Sequence, residues 1–443
     1  MSRHQRRGTA LSRRGFLQGA AAAGIGGGLL AGCGDDDDSS GGSSNGGNGG
    51  GGGGGDIPSA RIGYVTPRTG PLAPFGEADS FVLAAMADRY GDSIEILDRD
   101  SESDAGRAGE VAQELISEGV EIILVSSTPD TTVPVASACD LGEVPCISTV
   151  APWQPHYLGT GGELGPDVEE PEQASAYNWH FFWGLEDVIE NFIALWEQAG
   201  VPKVVGGLWP NDPDGNAWSD ANVGFPPALE AAGFTVVDPG RFPLDTQDFS
   251  SQIDQFREAG VTIVSGVVPP PTFANFQSQA IQQGYSPPVV TVAKALLFPS
   301  AVESFPRGDG LSTEIWWTER HPFTSSLTGQ TAAELAAAFE EETGNQPTQP
   351  LGFAHALFEI AIDALKRAGS ADLDAVSDAL GATNLATVVG PIDFSSGPVP
   401  NFSKTPLVAG QWVEGQQYPL QLAINVNTQL PDLPVDGTIQ PIA

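Results

Sequence analysis

Lysine, cysteine and histidine are all scarce in this chain of 443 residues. Lys+Arg number 19 against 56 Asp+Glu, a formal net charge of −37, and only four of the cations are lysine. So large an acidic excess argues against a nucleic-acid partner and against adhesion to an anionic lipid surface. Charged residues are still only 17% of the chain, below the usual quarter, so the arginine bias reads as a GC-rich genome rather than salt adaptation. The five histidines, His4, His156, His180, His321 and His355, do not pair at metal-ligand spacing with one another or with cysteine. From Ile57 onward there is no Gly-x-Ser-x-Gly elbow, and the whole chain lacks a Gly-x-x-x-x-Gly-Lys phosphate loop. The run Asp98 to Asp104 opens like a calcium loop but lacks the glycine at position six and the glutamate at twelve, so it reads as a strand-to-helix link. No metal and no cofactor are expected, and an exported enzyme is disfavoured. No stretch beyond residue 33 is apolar for long enough to span a membrane.

What is present begins at the N-terminus. Arg13-Arg14 with Phe16-Leu17 resembles a twin-arginine export signal, and Leu30-Ala31-Gly32-Cys33 resembles a bacterial lipobox. A mature chain would then start at Cys33, carry lipid on that thiol and sit outside the cytoplasmic membrane. Residues 34–56 hold four consecutive acids, Asp35 to Asp38, and then only glycine, serine and asparagine from Ser39 to Gly55. Such a segment buries nothing and reads as a flexible tether, roughly 20 residues with a reach of about 25 Å.

With Cys33 assigned to lipid, Cys139 and Cys146 remain. Cys139 ends an expected helix and Cys146 enters the next strand. A disulfide across that corner, contributing about 2 kcal/mol, and a pair of buried free thiols are both open.

From Ile57 the length suits two domains. Short apolar strands at Ala60–Thr66, Ser93–Leu97, Glu121–Ser126 and Pro145–Thr149 alternate with helical patterns over Glu77–Tyr90, Gly106–Glu118 and Thr131–Leu141. The alternation restarts after Trp183, with strands at Val204–Trp209, Thr235–Val237, Thr262–Val268 and Val289–Val292. Helices at Ala332–Thr343 and Phe353–Ala368 follow, then strands around Gly390–Phe394 and Gln411-Trp412. This pattern predicts an α/β protein of two doubly wound parallel-sheet lobes, with ligands at the carboxyl ends of the strands.

Four stretches carry a family resemblance: Ile62-Gly63-Tyr64-Val65-Thr66 with Thr69-Gly70-Pro71; Val120 to Ser127 with Val144 to Ser148; Ala361 to Gly369; and Val388 to Phe394 with Gly410-Gln411-Trp412. In order and spacing they resemble the extracytoplasmic substrate-binding proteins of the branched-chain amino acid type, which feed ABC importers. The resemblance implies a type I periplasmic-binding-protein fold with three hinge crossings, near Phe182–Gly184, Glu314–Trp317 and Val389–Ile392. Lobe 1 would hold residues 57–183 and 318–389, and lobe 2 residues 184–317 and 390–443. It also implies a monomer, a small-molecule ligand, and an ABC permease with its ATPase subunits as partners. The same two-lobed body would equally serve a lipoprotein that senses a ligand and signals to a membrane receptor or kinase.

The resemblance places a ligand carboxylate at the helix start after the third strand, here Ser127, Thr128 and Thr131. Asp130 is alternatively a plain N-cap there. The next cleft strand brings Val150, Ala151 and Trp153, with Pro152 replacing an expected contact, and the opening loop brings Phe75. Phe75 and Trp153 serve either as cleft walls or as packing. In the second lobe the expected contacts are Pro269, the cleft-side loop Asn211–Asn216 with Trp218, and Lys294. Ala293-Lys294 stands where the family often has the acid that pairs with an α-ammonium. Lys294 therefore points to an acidic or uncharged-amine ligand, unless it is a solvated surface lysine.

Overall fold

A run of apolar β-branched residues makes a strand when both its faces are covered, and Ile122–Ser126 (β3) is buried at every position. The computed structural model describes residues 57–165, 168 and 171–442; the export signal, Cys33 and the tether lie outside the described residues. The first half runs β1 (Ala60–Thr66), α1 (Asp79–Tyr90), β2 (Ile94–Asp100), α2 (Ala105–Ser117), β3 and α3 (Pro129–Gly142). Then come β4 (Cys146–Thr149), α4 (Trp153–Gly159) and β5 (Asn178–Phe181). The second half runs α5 (Leu185–Gln198), β6 (Val204–Leu208), α6 (Pro213–Trp218), α7 (Phe225–Ala231) and β7 (Thr235–Val237). It continues with α8 (Ser250–Glu258), β8 (Ile263–Val268), α9 (Pro270–Gln282), β9 (Val289–Lys294), α10 (Pro299–Ser304) and β10 (Ser312–Ile315). The chain closes with α11 (Ala332–Thr343), α12 (Pro350–Ala368), α13 (Leu373–Gly381), β11 (Asn384–Thr387) and β12 (Gly390–Asp393). The last strands are β13 (Phe402–Ser403), β14 (Val408–Glu414) and β15 (Leu420–Val426).

Two sheets repeat one order. The first is β13-β5-β4-β3-β1-β2, all parallel, and the second β15-β14-β10-β9-β8-β6-β7, parallel except at β14 and β15. Each therefore carries a doubly wound 2-1-3-4-5 core, whose switch point opens a crevice at the carboxyl ends of its strands. Helix α12 is buried along nearly its whole length, His355 and Glu359 included. It is stopped by Gly369, whose φ of 63° is left-handed.

The chain passes between the sheets three times. Phe182–Gly184 leads from β5 to α5, and Trp316 and the residues after it lead from β10 toward α11. The third passage differs from the sequence expectation. Because β13 pairs with β5, the chain leaves the first sheet after Ser403, not at Val389–Ile392. Two residues are too short a strand to announce itself in the sequence. Lys404 lies in this third passage, and its ammonium meets Glu186 (2.6 Å) and Asp187 (2.7 Å) at the start of α5, fastening the third crossing to the first. Aromatics fill the space between the crossings: Phe182 packs on Trp316 (5.2 Å between centroids) and on Phe353 of α12 (5.1 Å). Gly352 is required beside them, since a Cβ there would lie 2.6 Å from the Trp317 ring.

Cys139 and Cys146 are both free and both buried. Burial and the neighbouring Cys146 push the Cys139 thiol well above its ordinary range. Intact mass should be unchanged by reductant. Iodoacetamide should label neither thiol in the native chain and both in denaturant without reductant; failure to label in denaturant would restore the disulfide.

Candidate ligand cleft between the lobes

The carboxyl ends of the two sheets face each other across a cavity of about 20 Å³, room for about one water. Phe75, Thr128, Val150, Pro152, Phe182 and Trp183 line it from the first half of the chain. Asp214, Trp218, Val267, Ala293, Lys294, Leu297, Glu314 and Trp316 line it from the second. The lobes also touch at its rim. Phe75 packs edge-on against Phe298 with centroids 4.9 Å apart, and Ser300 at the start of α10 donates a hydrogen bond to Glu77.

Two wall residues at matching places carry unfavourable backbone. Val150, just past β4, has φ 69°, and Lys294, the last residue of β9, has φ 63°. A β-branched or long side chain in the left-handed region costs roughly 1–3 kcal/mol and persists only where the surroundings hold it. Both turn the chain at the carboxyl end of a strand. Neither position is glycine, so nothing in the sequence marks this conformation.

Of the residues expected from sequence, Phe75, Thr128, Val150 and Lys294 come together at the cavity, joined by Asp214 and Trp218 from the expected cleft-side loop. The others lie behind or beside it. Ser127 is fully buried with its hydroxyl unpartnered, and the Thr131 hydroxyl turns back to the Thr128 carbonyl (3.3 Å). The Ala151 carbonyl accepts from His180 Nε2 (2.8 Å). Burial pushes that imidazole down to about 3, so it stays neutral. Pro269 caps the start of α9. Trp153 turns away from the cavity: it packs beside Tyr157 (6.3 Å) in a separate cluster with Val399 and Phe402. Its indole N–H donates to Glu186 (3.2 Å). These contacts make it packing and not a cleft wall.

Lys294 also departs from expectation. It is 5% exposed, and its ammonium meets Asp212 (3.0 Å) and Asp214 (2.8 Å). It is neither a solvated surface lysine nor a free positive charge facing a ligand. Asp212 is simultaneously the N-cap of α6, accepting from the Gly215 N–H (2.6 Å). Gly215 cannot be replaced there, because a Cβ would lie 2.0 Å from the Pro210 carbonyl oxygen. The sequence Asn211-Asp212-Pro213-Asp214-Gly215 carries this helix-start signal: an acid before proline caps, and the next acid occupies the first turn.

Carboxyls outnumber ammonium at this point. Burial raises Asp214 to about 6 and Glu314 to about 7, and it also raises Asp130, moderated by the charge of Lys294. Glu314 accepts from the Thr313 hydroxyl (2.8 Å). Burial opposes the Lys294 charge, but Asp212, Asp214 and Asp130 outweigh it and hold that ammonium firmly protonated. Four wall atoms have no protein partner: Asp214 Oδ1 and the indole nitrogens of Trp183, Trp218 and Trp316.

No curated protein matches this chain. Solved structures do, at identities that establish the fold. A leucine-binding protein from Thermotoga maritima is 18% identical, with a TM-score of 0.66 over 84% of this chain and 99% of its own. An ABC-transporter solute-binding protein from Rhodopseudomonas palustris, solved with 3,4-dihydroxybenzoic acid, is 20% identical, with a TM-score of 0.66 and the same coverage. A branched-chain amino acid substrate-binding protein from Streptococcus pneumoniae, solved with isoleucine, is 14% identical at a TM-score of 0.63, covering 83% of this chain and 99% of its own. The family model for periplasmic binding proteins matches residues 59–415. With two doubly wound sheets facing one crevice and that match across most of its length, the chain belongs to the periplasmic binding protein family.

Proposed function

We propose that this protein captures a small organic solute between its lobes and delivers it to an ABC importer. The observation that carries the reading is the inter-lobe cavity, buried at the carboxyl ends of both sheets and walled by both. At about 20 Å³ it admits no solute larger than water while the lobes stay together, so capture requires them to part and close again. The three crossings supply the hinge. Binding of isoleucine and dihydroxybenzoate by the relatives supports a small organic cargo. Export through the twin-arginine route and a lipid on Cys33 would hold the body on the outer face of the cytoplasmic membrane as a monomer, within reach of the permease and its ATPase subunits. Among the described residues no helix is long and apolar enough to cross a membrane.

The test is small-angle scattering joined to native mass spectrometry. Solute carried through native purification should be released by denaturation, and refolded, stripped protein should show a larger radius of gyration that shrinks when that solute is returned. A radius unchanged by any retained solute would remove the capture reading.

A further inference from the structure

Three carboxyl groups share one ammonium beside the cavity, Asp130, Asp212 and Asp214 around Lys294, and Glu314 lines the same cavity. Asp212 spends its oxygens on the Gly215 N–H and on Lys294. Asp214 spends only Oδ2, and its Oδ1 has no partner although the residue is 1% exposed and lines the cavity. A buried carboxylate oxygen without a donor is costly, and the donor that would relieve it most is a positive one.

The place where an anionic group would bind is already occupied. Asp130 stands in the first turn of α3, where its carboxylate takes its own backbone N–H and faces the Thr128 hydroxyl (3.4 Å). A ligand carboxylate brought to that helix start would meet another carboxylate instead of free N–H groups. Five aromatic side chains also line the wall: Phe75, Phe182, Trp183, Trp218 and Trp316. Ring faces attract cations, most strongly when the site is shielded from water.

We propose that the solute of this cleft is a small organic cation, an alkyl- or quaternary ammonium without a carboxylate, a reading that rests on solute capture between the lobes. The cation sits among the aromatic rings and supplies the positive partner of Asp214 Oδ1. A single hydroxyl on it would serve as acceptor for one of the unpartnered indole N–H groups of Trp183, Trp218 and Trp316.

Calorimetry on the full chain tests this with four probes: choline, its uncharged isostere with carbon in place of nitrogen, leucine and hydroxybenzoate. Choline should bind saturably and at least about tenfold more tightly than the isostere, a ratio within the range of desolvated cation–π and ionic contacts. It should also bind more tightly than leucine or hydroxybenzoate. Asp214→Asn should reduce choline affinity about tenfold and leave the isostere unaffected. Phe75→Leu, which keeps the Lys294 cluster intact, should weaken choline several-fold if Asp214→Asn does not fold. Equal affinity for choline and its isostere overturns the cation, as does tighter binding of leucine or hydroxybenzoate. Either result leaves capture standing if the bound probe also shrinks the radius of gyration. No saturable binding by any of the four overturns the cation, and capture is then judged by the retained-solute measurement alone.

Discussion

Lys294→Met is expected to destabilise the protein by about 3–5 kcal/mol at pH 8, the cost of removing one partner from a buried ion pair. Asp212 and Asp214 would then lie 5% and 1% exposed with no counter-charge. The loss has a definite pH dependence. Even beside the lysine, burial raises Asp214 to about 6. The stability linked to such a raised carboxyl is full below its unfolded value, about 4, and is lost as pH rises through 6. Without Lys294 the Asp214 carboxyl rises further, so protonation relieves the variant, and its deficit should shrink between pH 8 and pH 5. Urea denaturation at the two pH values measures this. Lys294→Met combined with Asp214→Asn should recover part of the deficit, because one of the stranded charges is gone. A deficit under about 1 kcal/mol, or one equal at both pH values, would contradict the buried pairing.

Glu359→Ala is expected to cost about 3 kcal/mol or more, through a cavity and an orphaned backbone donor. Glu359 is fully buried on α12, and its carboxyl accepts the Ser326 N–H (2.5 Å), the Ser326 hydroxyl (2.9 Å) and the Val388 N–H (2.9 Å). Val388 is itself fully buried, so its N–H has no water to turn to. The same residue's carbonyl receives the Trp317 indole N–H (3.1 Å) just beyond the second crossing, so the loss reaches the hinge. Burial pushes Glu359 up to about 7. Glu359→Gln keeps the volume and one acceptor and should cost less than alanine. Equal unfolding free energies for the two variants would show that these hydrogen bonds contribute little.

Much of the fold is legible in the residue pattern because it depends on local periodicity. Glu121–Ser126 reads as a buried parallel strand from the apolar run Ile122 to Val125, and β3 is one. The Leu185–Ala199 stripe reads as a helix with one apolar face, and α5 buries Val188, Phe192 and Leu195. The third crossing escaped because β13 is made by pairing of two residues with His180 and Phe181, a contact distant in sequence. In the cleft, Phe75, Thr128, Val150 and Lys294 follow from the family resemblance, which sets the cleft at these loop, strand and helix ends. Trp153 does not: a ring one residue past the cleft edge can turn either way, and the space around Tyr157 decided it.

By itself the sequence determines the order of strands and helices, because alternation of short apolar runs with amphipathic ones is a local property of the chain. It also carries the scarcity of lysine that makes Lys294 conspicuous. The charge of the cleft belongs to the tertiary structure. Lys294 stands alone in its own strand, and only the approach of α6 and α3 surrounds it with Asp212, Asp214 and Asp130. Electrostatic interaction depends on distance and burial rather than on sequence separation. A lone positive residue therefore turned out to be the minority charge of an acidic site.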